Sequence, residues 1–412
     1  MVTREIYNKK IENALKLLPI IILTGARQVG KTTIMQNYEY DKDTLFLNGQ
    51  NPEIIERFAK YSTIENYLKI NLNKQLNGYL LIDEFQFITG ISTILKLLTD
   101  NNSNLKIVAT GSSSLDMAQK VEESLAGRVR IINVYSLSFP ELIKFYDEQL
   151  YKIYMQYDQF TKAAVVEKEI EILEQTFLTF GGLPRVALTN DPKEKIELLN
   201  DIYQTYLLHD VKTYVKNEDS VGFNKMLRLL SAQTSNLLNV NQLSNSSGLS
   251  YKKTVEYLYL LEQMFIIKLI EPYHVNKTKT IKKMKKVYFY DLGIRNVIYN
   301  SFNDINIRVD NGALFENYVF LELLKYAHPA SSIYFYRTRD GAEIDFVVDD
   351  MIEKITLEAK YKHFDKPITF KHLNNFNQSE NILKSYLVNR NLNRNINKTH
   401  FIPAYLLAKI YE

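Results

Sequence analysis

Eight residues, Gly25 to Thr32, constrain this chain more than any others. They read G-A-R-Q-V-G-K-T, follow the β-branched run Ile20 to Leu23 and lead into a helix-compatible stretch from Lys31. Strand, glycine loop and helix in that order make a cradle for a polyanion, because the loop N–H groups and the positive helix end face the same point. Gly25 and Gly30 permit backbone angles and a close approach that side chains would block. Ala26, Arg27, Gln28 and Val29 supply the loop between them, and Thr33 follows at the helix start. Lys31 is expected to reach the β- and γ-phosphates of a nucleotide, and Thr32 to place its hydroxyl on Mg²⁺. ATP and Mg²⁺ are therefore the expected cofactors, held by an α/β P-loop fold with a parallel sheet.

A second strand, Tyr79 to Ile82, ends in adjacent carboxylates, Asp83 and Glu84. Asp83 suits the metal ion or its water, and Glu84 suits the general base that polarises an attacking water. A third strand from Leu105 ends in small hydroxyl residues. Thr110 or Ser112 is the candidate for sensing the γ-phosphate between the other two strands. Gly127-Arg128 offers a guanidinium for a transferring phosphate, in its own chain or a neighbour's, and an arginine acting in trans would demand a homo-oligomer.

Together GARQVGKTT, LLIDEFQ, ATGSSS, SLAGRV, LSFPE and the later GGLP resemble the prokaryotic AAA-type P-loop ATPases whose core precedes a DUF4143-type carboxy-terminal region of unassigned function. The likeness spans nearly the whole chain. It implies ATP hydrolysis, a helical lid carrying the Gly181 to Pro184 element, and a phosphate-contacting role for Arg128.

At 412 residues the chain exceeds one hydrophobic core, and its 46% hydrophobic and 24% charged residues are ordinary globular composition. Zero cysteines exclude disulfides and thiolate zinc sites, so any metal is expected on oxygen ligands. The amino terminus lacks the apolar stretch of a signal peptide, and no run of about 18 apolar residues appears. The expectation is a cytoplasmic protein without membrane contact.

The motifs suggest four domains: an ATPase core over 1–138, a helical lid over 139–218, a winged helix-turn-helix over 219–290, and a restriction-endonuclease-like α/β domain over 291–412. In the third, a helix ends near Asn236, a short one spans Val240 to Ser246, Gly248 turns the chain, and Ser250 caps a helix to Met264. IIKLIEPY and KVYFYD would be wing strands. Between them lie six lysines in the ten residues from Lys277 to Lys286, a density suited to DNA phosphates. Lys252 and Lys253 lie on the candidate recognition helix.

In the last domain Glu316 falls on a helix, Asp345 in the second following strand, and Glu358 with Lys360 in the third. Alternate strand residues share a face, so Glu358 and Lys360 point the same way. This is the D-x(n)-(E/D)-x-K arrangement of nuclease-like folds, in which Asp345 and Glu358 would hold Mg²⁺ and Lys360 would activate water. The family's carboxy-terminal region is similar to such domains. Arg337 and Arg339 could add phosphate contacts, and the basic stretch after Lys384 is expected to be a loop before a last strand. Three functions remain open: an ATPase coupled to a DNA-binding, nuclease-like half; a nucleotide-controlled switch that binds DNA or protein without cutting; and, last, a kinase-like transfer of phosphate to a small molecule, for which no separate acceptor site is evident.

Overall fold

A computed structural model describes residues 4–112, 125–156, 164–205, 214–274, 284–338 and 340–411. Two units divide the chain: Met1–Tyr135 with Gln263–Phe265, and Ser136–Glu262 with Ile266–Glu412.

The first unit is built on five parallel strands, β1 (Ile20–Gly25), β2 (Thr44–Asn48), β3 (Gly78–Asp83), β4 (Leu105–Ser112) and β5 (Val129–Asn133), in the order β2-β3-β4-β1-β5. Parallel strands are joined by crossovers that cover both faces, which is why β1 reads as a continuous apolar run and is buried along its whole length. Helices Tyr61–Asn71 and Ile91–Asn101 pack Ile64, Leu68, Leu95 and Leu98 against Ile22, Leu80, Ile82 and Ile107 of the sheet. The strand from Leu105 does run between the glycine-loop strand and the carboxylate-tipped one. Strand β2 carries no strong apolar alternation and has no counterpart in the sequence reading.

The second unit begins with helices Phe139–Tyr146, Glu148–Met155, Ala164–Phe180, Pro184–Leu188 and Pro192–Ile202. Ser138 opens the first of them with a reciprocal capping box to Glu141. Helices Ser220–Ala232, Val240–Ser247 and Tyr251–Gln263 follow, with Gly248 left-handed at the turn, as the glycine there requires. An antiparallel sheet ordered β6-β8-β7 accompanies them, from Leu237–Leu238, Lys285–Phe289 and Ile267–Ile270.

Helices Leu292–Tyr299 and Asn311–Tyr326 lead into a mixed six-stranded sheet ordered β13-β14-β12-β11-β10-β9. Its strands are β9 (Ser332–Arg337), β10 (Glu343–Asp349), β11 (Lys354–Ala359), β12 (Lys384–Asn389), β13 (Arg394–Ile396) and β14 (Thr399–Pro403). The stretch after Lys384, expected as a loop, is thus partly the short edge strand β13, whose exposed residues carry no burial pattern. A core of Phe139, Ile170, Phe177, Leu314, Tyr318, Phe346 and Leu357 unites helices and sheet, with Tyr318 and Phe177 edge-on at 5.6 Å between ring centroids.

The GGLP element is a clasp. Gly182 N–H donates to Asp291 Oδ2 at 2.9 Å, while Asp291 Oδ1 caps the next helix by accepting from Gly293 N at 2.9 Å and Ile294 N at 3.2 Å. Gly181 has φ +75°, and a Cβ there would lie 2.2 Å from Asp291 Oδ1. One on Gly293 would lie 2.2 Å from the Phe180 carbonyl oxygen.

Glu174, on helix Ala164–Phe180, is fully buried and its Oε1 has no hydrogen-bond partner. Burial pushes its carboxyl up to about 8, with Glu171 and Glu322 adding to the rise and Arg390 opposing it. A carboxyl whose folded pKa exceeds its unfolded value lends stability below the unfolded value, and that stability is lost as pH rises through the folded one. Glu174→Gln should therefore raise the melting temperature over wild type by a gap that widens from about pH 5 to pH 8 and then levels off, reaching several degrees. Thermal melts across that range check it, and a pH-independent gap would contradict the assignment.

Candidate functional site

The glycine loop leaves the end of β1 and is held in a shape its sequence explains. Gly25 has φ +148°, and a Cβ there would sit 2.1 Å from the Val134 carbonyl oxygen, so no side chain fits. Gly30 is left-handed at φ 91°, directly before helix Lys31–Asn37. Gln28 is also left-handed, at φ 63°. Arg27, Gln28 and Thr33 are exposed, whereas Val29 is buried and its carbonyl accepts from Arg4 Nη1 at 3.0 Å. Arg4 donates as well to the Tyr135 carbonyl at 2.9 Å, so a buried arginine before the first helix braces the loop from below. Sequence reasoning missed Arg4, which has no motif around it.

Lys31 is buried, and its ammonium donates to the Gly25 and Ala26 carbonyls at 3.0 and 2.8 Å. Burial lowers its pKa to about 8, although Glu84 and Asp83 pull the other way. Thr32 Oγ1 donates to Asp83 Oδ1 at 2.8 Å, which joins the loop helix to the tip of β3. Thr110 Oγ1, fully buried on β4, donates to the same Asp83 oxygen and accepts from Glu84 N–H at 3.2 Å. Of the two sensor candidates, Thr110 therefore touches the carboxylate pair. The Ser112 side chain lies outside the described residues, though its backbone pairs with Gly25. Glu84 itself is left-handed at φ 51°, and its Oε2 accepts from Gln86 Nε2.

Arg128 is not brought to this site. Val129 pairs with Ile20, so Arg128 stands level with Pro19 at the opposite end of β1 from Gly25. Six strand residues span roughly 20 Å at about 3.3 Å each, beyond any side chain's reach. Its guanidinium pairs with Asp100 instead, Nε to Oδ1 at 2.6 Å and Nη2 to Oδ2 at 3.2 Å. A contact to phosphate within its own chain is thereby excluded, because parallel strands put their starts and their tips on opposite sheet edges.

Residues 18–143 match the AAA domain family model. This segment is an AAA domain of the P-loop class. Behind the AAA domain, residues 170–304 and 311–407 match two domains of unknown function, DUF8612 and DUF4143. An uncharacterized protein of Methanocaldococcus jannaschii is 26% identical over 396 residues, 90% of this chain and 84% of its own length. One from Haemophilus influenzae is 24% identical over 382 residues, 88% of this chain and 87% of its own. Among solved structures, the Walker-type ATPase of Pyrococcus abyssi aligns with a TM-score of 0.51 at 14% identity, over 72% of this chain and 96% of its own. That last likeness is one of fold.

The second unit gathers the four carboxy-terminal candidates. Glu316, Asp345, Glu358 and Lys360 converge from helix Asn311–Tyr326, β10, β11 and the residue just past β11's end. Lys360 Nζ lies 2.7 Å from Glu358 Oε1 and 3.5 Å from Asp345 Oδ2, and Asp345 Oδ2 also accepts from Ala359 N–H at 2.8 Å. Two further residues complete the cluster. Lys286, on β8, is 2% exposed, with Nζ 2.8 Å from Glu316 Oε1, 2.5 Å from Glu343 Oε1 and 3.9 Å from Asp345 Oδ1. Tyr288 on the same face of β8 donates to Glu316 Oε1 at 2.6 Å.

Lys286 is thus no phosphate contact on a wing but the buried partner of three acids, and Lys285 pairs with Glu271 at 3.0 Å. Lys277, Lys279, Lys282, Lys283 and Arg339 lie outside the described residues. Alternation was the available signal: Lys286 and Tyr288 share one face of β8, and Glu343 precedes Asp345 by two. Arg337 is exposed and pairs with Glu343 at 2.6 Å.

Burial, then the Asp345 charge, pushes Glu316 and Glu358 up to about 7. Burial alone would lower the Lys286 pKa, but Glu316, Asp345 and Glu343 outweigh it and hold it above the usual lysine range. Among the described residues no helix is long and apolar enough to cross a membrane.

Arg128→Ala should leave ATP affinity within about twofold of wild type in dilute protein, whereas Gly25→Ala should abolish binding through its clash. Titration with a fluorescent ATP analogue measures both. A tenfold loss for Arg128→Ala would put its guanidinium on the chain's own nucleotide.

Proposed function

We propose that this chain is an Mg²⁺-dependent ATPase that couples nucleotide turnover to a nucleic-acid-binding carboxy-terminal half. The observation that carries the ATPase part is the Thr32–Asp83–Thr110 link, which draws the tips of β3 and β4 and the loop helix onto one carboxylate oxygen. The residues fit the nucleotide: the loop is closed to any side chain at Gly25, and the Lys31 ammonium rests on loop carbonyls that phosphate oxygens would replace.

Thr32 and Asp83 would hold Mg²⁺, which supplies charge neutralisation between the phosphates. Lys31 binds the β- and γ-phosphates, the loop N–H groups orient them, and Glu84 takes the proton from the attacking water. Thr110 keeps Asp83 and Glu84 in register by bonding to both. Gln86 holds the Glu84 carboxylate in one orientation until a water arrives. Arg128, if it serves a phosphate, serves that of a neighbouring copy.

For the carboxy-terminal half, helices Ser220–Ala232, Val240–Ser247 and Tyr251–Gln263 with the β7/β8 hairpin support a winged-helix reading, and β9 to β12 with Glu316, Asp345 and Glu358 support a nuclease-like one. The four lysines from Lys277 to Lys283 favour a polyanion. A second reading, a nucleotide-controlled switch that holds a protein partner without cutting anything, has its own support. On Tyr251–Gln263, Tyr251, Val255 and Tyr259 are exposed at helical spacing, and Lys253 is paired with Glu256 at 3.3 Å and Asp219 at 3.7 Å.

Lys31→Ala and Glu84→Gln should each reduce phosphate release by about a hundredfold or more in purified protein; unchanged turnover in both would end the ATPase reading. Duplex DNA affinity measured over a salt series, with and without ATP, separates the two partners. A log–log slope of about −3 or steeper supports the lysine segment on phosphates, whereas no binding at any salt selects the protein partner.

A further inference from the structure

The nuclease-like arrangement leads one to expect a divalent ion among the acids of the second unit, and the side chains do not fit one. Among the described residues no three His, Asp or Glu side chains are arranged to hold a metal ion. The space between Glu316, Glu343 and Asp345 is filled by the Lys286 ammonium, within 2.5 to 3.9 Å of an oxygen of each. A metal held by carboxylates needs those same oxygens at roughly 2.0–2.6 Å, so it and the ammonium compete for one volume.

Two lysines serve the cluster, and they differ in how firmly they are placed. Lys360, just past the end of β11 and 38% exposed, sets its ammonium 2.7 Å from Glu358 Oε1 and 3.5 Å from Asp345 Oδ2, between the two carboxylates expected to hold a metal. Lys286 is the more deeply buried of the two. It sits on β8, the middle strand of its sheet, where its backbone pairs with Leu237 on one side and Ile270 on the other. Its ammonium lies 5.6 Å from the centre of the Phe335 ring, and Tyr288, next on the same face, fixes Glu316 from the side. The paired strand fixes where the Lys286 stem begins, and burial leaves its ammonium little room to turn elsewhere.

We infer that Lys286 supplies the cation of the carboxy-terminal acidic site, so that Glu316, Glu343 and Asp345 bind an internal ammonium in place of a divalent metal and the site does not cleave phosphodiesters. Nothing in this depends on nucleotide turnover.

The test is Mn²⁺ binding to the full chain without nucleotide, followed by electron paramagnetic resonance, alongside Mg²⁺-dependent nicking of plasmid DNA. Wild type and Asp345→Asn should give superimposable Mn²⁺ curves up to about 1 mM, and neither should nick. Lys286→Ala should gain one Mn²⁺ per chain, and the double variant Lys286→Ala/Asp345→Asn should lose it again. A wild-type Mn²⁺ site that disappears in Asp345→Asn, or nicking that does, overturns the inference, as does a folded Lys286→Ala protein that gains no ion. If Lys286→Ala does not fold, Lys286→Gln takes its place with the same expected gain of one Mn²⁺ per chain. Phosphate release followed in the same preparations reports the ATPase separately, and its loss or survival leaves this result unchanged.

Discussion

One carboxylate oxygen organises the first unit. Asp83 Oδ1 receives hydroxyls from Thr32 and Thr110, which sit on two different elements flanking its strand. This is possible only because β1, β3 and β4 run parallel and in register, so that their carboxyl ends finish on one edge of the sheet. Ligands in open α/β sheets gather at that edge for the same reason. The geometry sorts the candidates without further assumption: residues at strand ends meet, and a residue at a strand start, such as Arg128, is left behind.

The second unit is governed by a different economy. Buried charges in it are compensated locally and repeatedly: Lys325 lies 3.0 Å from Glu322, Arg295 and Arg308 share Asp310 at 2.6 and 2.8 Å, and Lys286 sits among three acids. Such pairs add little net stability against apolar replacements but are costly to break, since removing one member strands the other in a low-dielectric interior. Lys325 also reaches the Leu137 carbonyl at 2.7 Å, and Glu322 accepts from Phe139 N–H at 3.1 Å, so one pair fixes both its own helix and the start of another.

What the sequence revealed follows from the range of the forces involved. Gly25, Gly30, Lys31 and Thr32 act through the backbone and their immediate neighbours, so their spacing alone carries their meaning. Asp83 and Glu84 were legible because an apolar strand ending in two acids has few uses beside such a loop. Where Arg128 stands was not legible, because a glycine-arginine pair says nothing of which sheet edge it occupies; only the register of β5 on β1 settles that. Lys286 misled for a similar reason. Inside a run of lysines its charge reads as solvated, and its burial depends on a helix and a strand far along the chain. Arg4, Glu343 and the two hydrogen bonds of the Thr110 hydroxyl were likewise set by partners distant in sequence, where composition and periodicity are silent.

The clasp between Gly181–Gly182 and Asp291–Gly293 bears on motion. Because a carbonyl and a carboxylate fill the spaces where two methyl groups would stand, the Phe180 end of helix Ala164–Phe180 meets the Gly293 start of helix Leu292–Tyr299 at backbone distance, with no side-chain layer at that crossing to act as a bearing, and Asn296 Nδ2 ties the two further by donating to the Leu178 and Thr179 carbonyls at 3.1 and 2.8 Å. Sliding of packed helices needs such a layer, since it proceeds by small rotamer adjustments. These two helices must therefore travel as one body, and any rearrangement within this unit has to bend at other joints.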